Sequence, residues 1–191
     1  MIKHSHFLLH KPFKYLSQFV NNQSKRNNKN LLGELHDFPE GTMSIGRLDE
    51  DSEGLLLLTT DGKESERVRG KKVEKEYYVQ VDGMITEEAI QRIKAGLTIT
   101  IYGKPYDTLP CHASKLEKEP DLKPRSQRIR AHGPTSWATI TITEGKFRQI
   151  RKMTALVGYP TLRLIRVRIG KIHLNNLEAG EIKEVEQFEL D

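Results

Sequence analysis

Residues 46–62 read GRLDEDSEGLLLLTTDG and carry the most unusual pattern of the sequence. Four carboxylates fall within the five residues 49–53, with an arginine before them and a glycine after them. The aliphatic run Leu55–Leu58 follows directly, and its composition predicts a buried β-strand over 55–60. The segment therefore predicts a dense acidic loop at the start of a core strand.

The residues alone leave three interpretations of this loop open. A calcium loop is one, because Asp49, Asp51 and Glu53 occupy positions 1, 3 and 5 of the EF-hand pattern. Thr60 stands where that pattern needs a bidentate glutamate, and a strand rather than a helix is predicted to follow, so calcium is weakly supported. A glycosidase-like carboxylate pair is the second interpretation, although sequence spacing gives no distance between carboxyl groups. The third is a solvated acidic turn, which composition alone favours.

Length and composition limit the class of protein. A chain of 191 residues forms one large domain or two small subdomains that share a sheet. The longest aliphatic run has four residues, far below the ~20 of a transmembrane helix, so no membrane span is expected. The single cysteine, Cys111, excludes a disulfide framework and a cysteine zinc cluster, and it fits a reducing cytoplasm. The histidines show no metal-binding spacing, and no metal is expected.

The distribution of charge is more informative than the net charge of +5. Residues 145–171 contain eight lysines and arginines and no acidic residue. Residues 115–130 carry six basic residues against three acidic ones. Such a concentration of one sign is typical of a polyanion partner, so nucleic acid is favoured over a merely solvated, salt-bridged face.

Short strands and helices alternate along the chain, which predicts a mixed, α+β fold. Apolar segments at 7–9 and 15–19 flank a turn at Lys11-Pro12, and residues 21–30 are predicted to form a polar loop. Further strands are predicted over 76–82 and 137–143, helices over 86–95 and 148–157, and an irregular excursion over 102–135. Thr86 is the expected N-cap of the first helix, and Gly96 and Gly158 are the expected stops.

Several stretches together resemble one known family. They are HKPFKYLSQF, GRLDEDSEGLLLLTTDG, KEYYVQV, EGKFRQIRKM and LRLIRVRIGKIHLNNLEAGE, which occur in the order of the motifs of the RsuA/RluB/RluE/RluF family of ribosomal RNA pseudouridine synthases. The resemblance covers residues 7–188, almost the whole chain. The acidic stretch is similar to the signature loop of that family, and it is the most specific of the five.

The resemblance implies a pseudouridine synthase fold. In that fold residues 1–191 form one catalytic domain, with two mixed α/β subdomains, joined and mainly antiparallel sheets, and a central basic cleft. Many relatives begin with a small S4-type RNA-binding domain, and none is expected here. The implied chemistry needs no cofactor and no metal. The implied partner is large-subunit ribosomal RNA, with no membrane partner, and the protein is expected to be a cytoplasmic monomer.

The resemblance also implies a catalytic set of Asp49, Tyr77 and Arg151. Asp49 corresponds to the nucleophile or base, and Arg151 to the cation that pairs with its carboxylate and stabilises charge on the base. Tyr77 corresponds to the ring that stacks on the flipped target base. The residues alone leave other roles open. Alternation with Val79 and Val81 indicates that Tyr77 is a core residue, and a phosphate contact is the alternative role of Arg151.

A second set of residues is expected to bind the substrate: Arg47, Lys11, Lys146, Arg148, Lys152 and Leu164. Leu164 resembles the apolar residue that buttresses the base, with a plain core leucine as the alternative. Arg47 alternates with Asp49 in an extended segment, so both are expected to face RNA. The lysines and Arg148 are expected to bind phosphates, as is a cluster formed by Arg125, Arg128 and Arg130.

The expected function is isomerisation of one specific uridine in large-subunit (23S) ribosomal RNA. An N-glycosylase, which would cleave the same bond without rejoining it, is the alternative among enzymes. A non-catalytic RNA-binding or ribosome-assembly protein is the alternative from another class.

Overall fold

The structure is a computed structural model that describes residues 4–20, 29–70, 72–125 and 127–190. Most of the loop predicted over 21–30 lies outside these residues. The strands are β1 (His6–Lys11), β2 (Met43–Ile45), β3 (Glu53–Thr59), β4 (Lys75–Asp82), β5 (Thr98–Ile101), β6 (Lys104–Asp107), β7 (His112–Leu116), β8 (Thr135–Ile142), β9 (Thr161–Ile169), β10 (Ile172–His173) and β11 (Ile182–Val185). The helices are α1 (Gly62–Gly70), α2 (Glu87–Ala95) and α3 (Gln149–Leu156), with a short 3₁₀ helix at Leu32–Glu34.

The chain divides into two compact units. Unit 1 comprises Met1–Val73 and Arg166–Asp191, and unit 2 comprises Glu74–Ile165. Strand β9 begins in unit 2 and ends in unit 1, so the chain passes from unit 2 back to unit 1 within this strand. The strand pairs described within each unit are antiparallel, and the fold is mixed α and β as the sequence predicts.

Unit 1 is built around β3, in which all seven residues are buried. Strand β3 pairs with β1 and with β2, and β11 pairs with the other edge of β1. Inward side chains form a core cluster of Phe7, Leu9, Leu32, Leu56 and Leu58. The strand predicted over 55–60 is confirmed, and the apolar segment at 7–9 lies within β1. The register places Lys11, the last residue of β1, opposite Gly54, the residue that ends the run of carboxylates.

In unit 2, β8 pairs with β4 along one edge and with β7 along the other. Alternation along β4 buries Tyr77, Val79 and Val81 on one face, as the period-two pattern predicts. The Thr86 side chain accepts a hydrogen bond from the Ala89 amide and caps α2, which confirms the predicted helix start. Gly96, with φ of +91°, ends the same helix.

One expectation about local structure is wrong. Residues 102–135 are not irregular throughout, because β6 and β7 lie within them. Strand β6 forms an exposed hairpin with β5, and β7 is an edge strand, so neither buries enough to show an apolar alternation in sequence. In the apolar segment at 15–19, Tyr15 makes one isolated bridge to Asn30. Within the described ranges, no helix is long and apolar enough to cross a membrane.

Candidate active site

The acidic loop, Asp49–Glu53, is held from outside by residues of the segment after β1. The Ser17 hydroxyl donates to the Leu48 carbonyl at 2.8 Å and accepts from the Leu48 amide at 2.9 Å. The Lys14 amide donates to the Glu50 carbonyl at 2.8 Å, and the Ser52 amide closes a turn onto the Asp49 carbonyl at 3.0 Å. The backbone on each side of Asp49 is therefore fixed.

The four carboxylates of the acidic loop have different surroundings. Glu50 accepts two hydrogen bonds from the Lys29 ammonium, at 2.5 and 2.6 Å. Glu53 is only 2% exposed and opens β3, whereas Asp49 and Asp51 are half-buried. These carboxylates are therefore not interchangeable, which argues against a simple solvated acidic turn.

Lys11 lies beneath this loop rather than on the surface. Its side chain is fully buried, and its ammonium donates to the carbonyls of Pro12 at 2.9 Å and Tyr15 at 2.7 Å. Burial lowers the pKa of Lys11 to about 7, and attraction by the carboxylates of the acidic loop, Glu53 most strongly, opposes that shift. The predicted contact between Lys11 and a phosphate stays a prediction, since the side chain is buried and its ammonium already donates to two backbone carbonyls.

Gly54 ends the acidic loop for a steric reason. Its φ is +105°, and a Cβ at this position would lie 2.3 Å from the Arg166 carbonyl oxygen. The buried Arg166 guanidinium also donates to the Leu55 carbonyl at 2.7 Å. A side chain at residue 54 would displace the start of β3, and with it the acidic loop.

In unit 2, helix α3 carries the predicted cations. Ile150 and Met153 are 3% and 0% exposed, so the apolar face of the helix packs inward as predicted. Arg151 is half-buried and its Nη1 lies 3.5 Å from the Thr161 carbonyl. Arg148, also half-buried, precedes the helix with a left-handed φ of +51°, a conformation that is strained for a non-glycine residue.

The two residues expected to contact the target base are buried in unit 2. Tyr77 is 7% exposed on β4, opposite Ile140 of β8. Leu164 is 6% exposed on β9. Burial of this degree agrees with the core alternative for both residues, and their contact with a base stays a prediction.

The remaining basic residues divide between the surface and the interior. Arg47 and Lys146 are exposed, and the Lys152 ammonium donates to the Thr100 carbonyl. Arg163 and Arg166 are 6% and 4% exposed, so the count of eight charges over residues 145–171 overstates the charge available to RNA. In the cluster predicted nearby, Arg125 is half-buried, and Arg128 and Arg130 are exposed.

The structure thus groups the predicted residues by unit. Arg47, Asp49 and Lys11 lie in unit 1, whereas the other predicted site residues lie in unit 2: Tyr77, Lys146, Arg148, Arg151, Lys152 and Leu164. Ser17 and Lys29 were missed as contributors to the site. The contacts of Ser17 with Leu48 and of Lys29 with Glu50 join residues 31 and 21 positions apart, and no local sequence pattern predicts them.

Metal and thiol chemistry find no support among the described residues. Within them, no group of three or more His, Cys, Asp or Glu side chains is arranged to hold a metal ion. Cys111 is half-buried, with its thiol 3.4 Å from the Ile93 carbonyl. Burial raises the pKa of Cys111 to about 11, with a smaller contribution from Glu144, so the thiolate that a nucleophile requires is disfavoured.

Comparison with solved structures defines the class of protein first. A crystal structure of a pseudouridylate synthase matches with a TM-score of 0.77 at 25% identity, covering 97% of this chain and 71% of that one. Human RNA pseudouridylate synthase domain containing 1 matches with a TM-score of 0.56 at 16% identity, covering 95% and 78%, and shows the fold alone. The fold is that of the pseudouridylate synthases.

Comparison of sequences then gives the family. The sequence model of the RNA pseudouridylate synthase family matches residues 5–156, and the chain belongs to that family. Ribosomal large subunit pseudouridine synthase E of Xanthomonas campestris is 41% identical over 178 residues, with 91% of each chain covered. The Vibrio parahaemolyticus protein of the same name is 36% identical over 183 residues, covering 94% of this chain and 73% of its own. The resemblance seen in the sequence motifs is confirmed, and the chain is an RNA pseudouridine synthase, an isomerase.

Proposed function

We propose that this enzyme converts a specific uridine of large-subunit (23S) ribosomal RNA to pseudouridine, with Asp49 as the nucleophile or base. The names of its relatives in Vibrio and Xanthomonas support the choice of RNA. The observation that carries the role of Asp49 is its anchored backbone, held through Leu48 by Ser17 and through Glu50 by Lys14. Holding a reacting group in one geometry is among the largest contributions an enzyme makes to rate.

The reaction makes defined demands on such a group. The N1–C1′ bond of the uridine breaks, the base turns, a C5–C1′ bond forms, and the proton leaves C5 while N1 gains one. Product and substrate are isomers, so no net oxidation or reduction occurs. Asp49 either attacks the sugar or assists removal of a proton, and both roles need an ionised carboxylate.

The surroundings of the acidic loop favour Asp49 over Glu50 and Glu53 for this role. Glu50 is paired with Lys29 and Glu53 is buried at the start of β3. The Lys11 ammonium lies close enough to the acidic loop that its carboxylates raise the pKa of Lys11 against the effect of burial, Glu53 and Asp51 first and Asp49 after them. A nearby buried cation favours the ionised form of a carboxylate.

Unit 2 is proposed to supply the other catalytic groups to the same uridine. Arg151 balances the Asp49 carboxylate and stabilises negative charge that develops on the departing base. Tyr77 and Leu164 flank that base, and the phosphates are bound by Arg47, Lys146, Arg148 and Lys152. The central basic cleft that the family resemblance implies belongs to this proposal, as do a monomeric state and a cytoplasmic location.

The deciding test is single-turnover pseudouridine formation on a fragment of large-subunit RNA at saturating protein. Asp49→Asn preserves size and removes the charge, so it is expected to fold, to bind RNA at least as tightly as the parent, and to form no detectable product. Glu50→Gln is the matched control and is expected to retain clear activity. Parental turnover by Asp49→Asn would overturn the catalytic role of this residue.

The products also separate the alternative functions. Isomerisation leaves the mass of the RNA unchanged, whereas an N-glycosylase releases uracil and leaves an abasic site. A non-catalytic ribosome-assembly protein, which family membership does not favour, would bind the fragment and change nothing. Pseudouridine mapping of ribosomal RNA from a deletion strain and its complemented parent would identify the uridine.

A further inference from the structure

An exposed pair of aromatic rings lies at the tip of the β5–β6 hairpin. Tyr102 and Gly103 are the two turn residues, and their φ angles of +49° and +78° match the signs that a tight type I′ hairpin turn requires. The Tyr102 side chain is 80% exposed. Glycine and asparagine are the usual residues at positive φ, so the backbone of a tyrosine at this position is strained. The strained conformation places the tyrosine side chain at the tip of the hairpin.

Phe147 completes the pair from the loop before α3. Its ring centroid lies 5.3 Å from that of Tyr102, with 15° between the ring planes, and the side chain is 46% exposed. The Lys152 ammonium lies 5.3 Å from the Phe147 ring centroid and donates to the Thr100 carbonyl of β5. The two rings are thus held parallel, and the hairpin is tied to α3.

Lysines adjoin the two rings in sequence. Lys104 follows the turn directly and is exposed, and the exposed Lys146 places its ammonium 4.9 Å from the Tyr106 ring centroid. The nearby Asp107 carboxylate accepts a hydrogen bond from the Thr98 hydroxyl, and Glu144 accepts one from the Tyr106 hydroxyl. An aromatic face bordered by lysines is complementary to an unpaired nucleotide, whose base stacks while the adjoining phosphates attract the cations.

We propose that Tyr102 and Phe147 form a stacking platform for an unpaired nucleotide of the RNA substrate, distinct from the uridine that reacts. The inference rests on the proposed function for its RNA partner and adds a second point of recognition to it. Lys104 and Lys146 contact the phosphates beside the stacked base. The platform contributes to affinity and to the choice of site, and it takes no part in bond breaking.

The first test measures the affinity of the full chain for the RNA fragment. Tyr102→Ala and Tyr102→Leu are expected to weaken binding about 5- to 150-fold, the range for loss of one base–aromatic stack. Tyr102→Trp retains a flat ring and is expected to bind like the parent. Met84→Ala removes another exposed hydrophobic side chain of unit 2, 53% exposed, and is expected to leave affinity unchanged.

The second test asks whether a base is the partner. Abasic nucleotides are placed one at a time along the fragment, outside the target uridine, and binding is measured with the parent and with Tyr102→Ala. One position is expected to weaken binding by the parent and to have no further effect on Tyr102→Ala. Equal effects of every abasic position on both proteins would overturn the proposal, as would unchanged affinity in Tyr102→Ala and Tyr102→Leu. A loss seen only with ribosomal particles would point to a protein partner and overturn it too.

The two proposals fail separately. Repeating the binding series in the Asp49→Asn background tests the platform without any turnover. In that background, weaker RNA binding by Tyr102→Ala and Tyr102→Leu than by Tyr102→Trp supports the platform, whether or not Asp49 is the catalytic residue. Full binding with lost turnover in Tyr102→Ala would place the ring in the chemistry and overturn its role as a platform.

Discussion

The Ser17 hydroxyl bonds both backbone groups of Leu48, the residue before Asp49. Ser17 is 5% exposed, so both bonds are shielded from water. Unit 2 contains a similar arrangement, in which the 6%-exposed Ser136 accepts from the Ile85 amide and donates to the Gly83 carbonyl, each at 2.8 Å. One serine fixes the loop that holds the proposed nucleophile, and the other fixes a turn that holds none.

Ser17→Ala is expected to lower kcat about 10- to 100-fold with little change in KM. The substitution leaves the Leu48 amide and carbonyl unpaired and lets Asp49 drift, and small displacements of a reacting group cost rates of this order. Steady-state kinetics on the RNA fragment measure both constants. Ser17→Thr keeps the hydroxyl and is expected to restore part of kcat.

Ser136→Ala is the matched control for this prediction. It removes the same two kinds of bond from an equally buried serine, so a comparable loss of thermal stability is expected without a change in kcat. Equal losses of kcat in both variants would show that Ser17 acts through general stability rather than by positioning Asp49.

Local patterns in the sequence predicted the elements, whereas contacts between distant segments decided much of the site. Alternation predicted β4, and the hydroxyl before an amphipathic run predicted the Thr86 cap. The burial of Lys11 depends on its register opposite Gly54, which no local pattern contains. Arg163 likewise contacts a segment distant in sequence, since its guanidinium donates to the Lys123 carbonyl.

The buried Lys11 is expected to make stability depend on pH. Its pKa is about 7 in the folded protein against an ordinary value of 10.5, so between these values the unfolded chain binds a proton that the folded chain has lost. The free energy of unfolding therefore rises with pH through this window, by at most about 1.4 kcal/mol per pH unit. Below pH 7 the ammonium is charged in both states, and this gain is absent.

Urea unfolding at pH 6.5, 7.5 and 8.5 measures this effect against Lys11→Met. The variant lacks the titrating group, so the difference in unfolding free energy between parent and variant is expected to move in favour of the parent as pH rises. Other groups titrate equally in both proteins and cancel. A difference that stays constant across the three pH values would contradict the lowered pKa.

Tyr77 variants separate base stacking from a core role. Tyr77→Phe keeps the ring, so folding and RNA affinity are expected to be retained. Turnover of this variant falls only if the Tyr77 hydroxyl transfers a proton in the reaction. Tyr77→Leu removes the aromatic face and is expected to lose at least tenfold in single-turnover rate. Val79→Ala, a fully buried neighbour on the same face, is expected to lose stability but keep its rate below the melting temperature. Full activity of Tyr77→Leu would transfer the role to Tyr78.

Salt dependence distinguishes the cations that reach RNA from those that do not. The logarithm of affinity is expected to fall with the logarithm of salt concentration, by about 0.7 per phosphate neutralised on a single strand. Lys146→Ala removes an exposed ammonium beside the hairpin and is expected to reduce that slope by roughly one phosphate while the same uridine is modified. Lys63→Ala, an exposed residue of α1 outside the basic segment, is expected to leave the slope unchanged. Binding titrations between about 50 and 200 mM salt measure the slopes, because added salt weakens phosphate contacts strongly over this range. Equal slopes for the parent and Lys146→Ala would remove Lys146 from the RNA interface, and a parental affinity independent of salt would contradict electrostatic binding by this face.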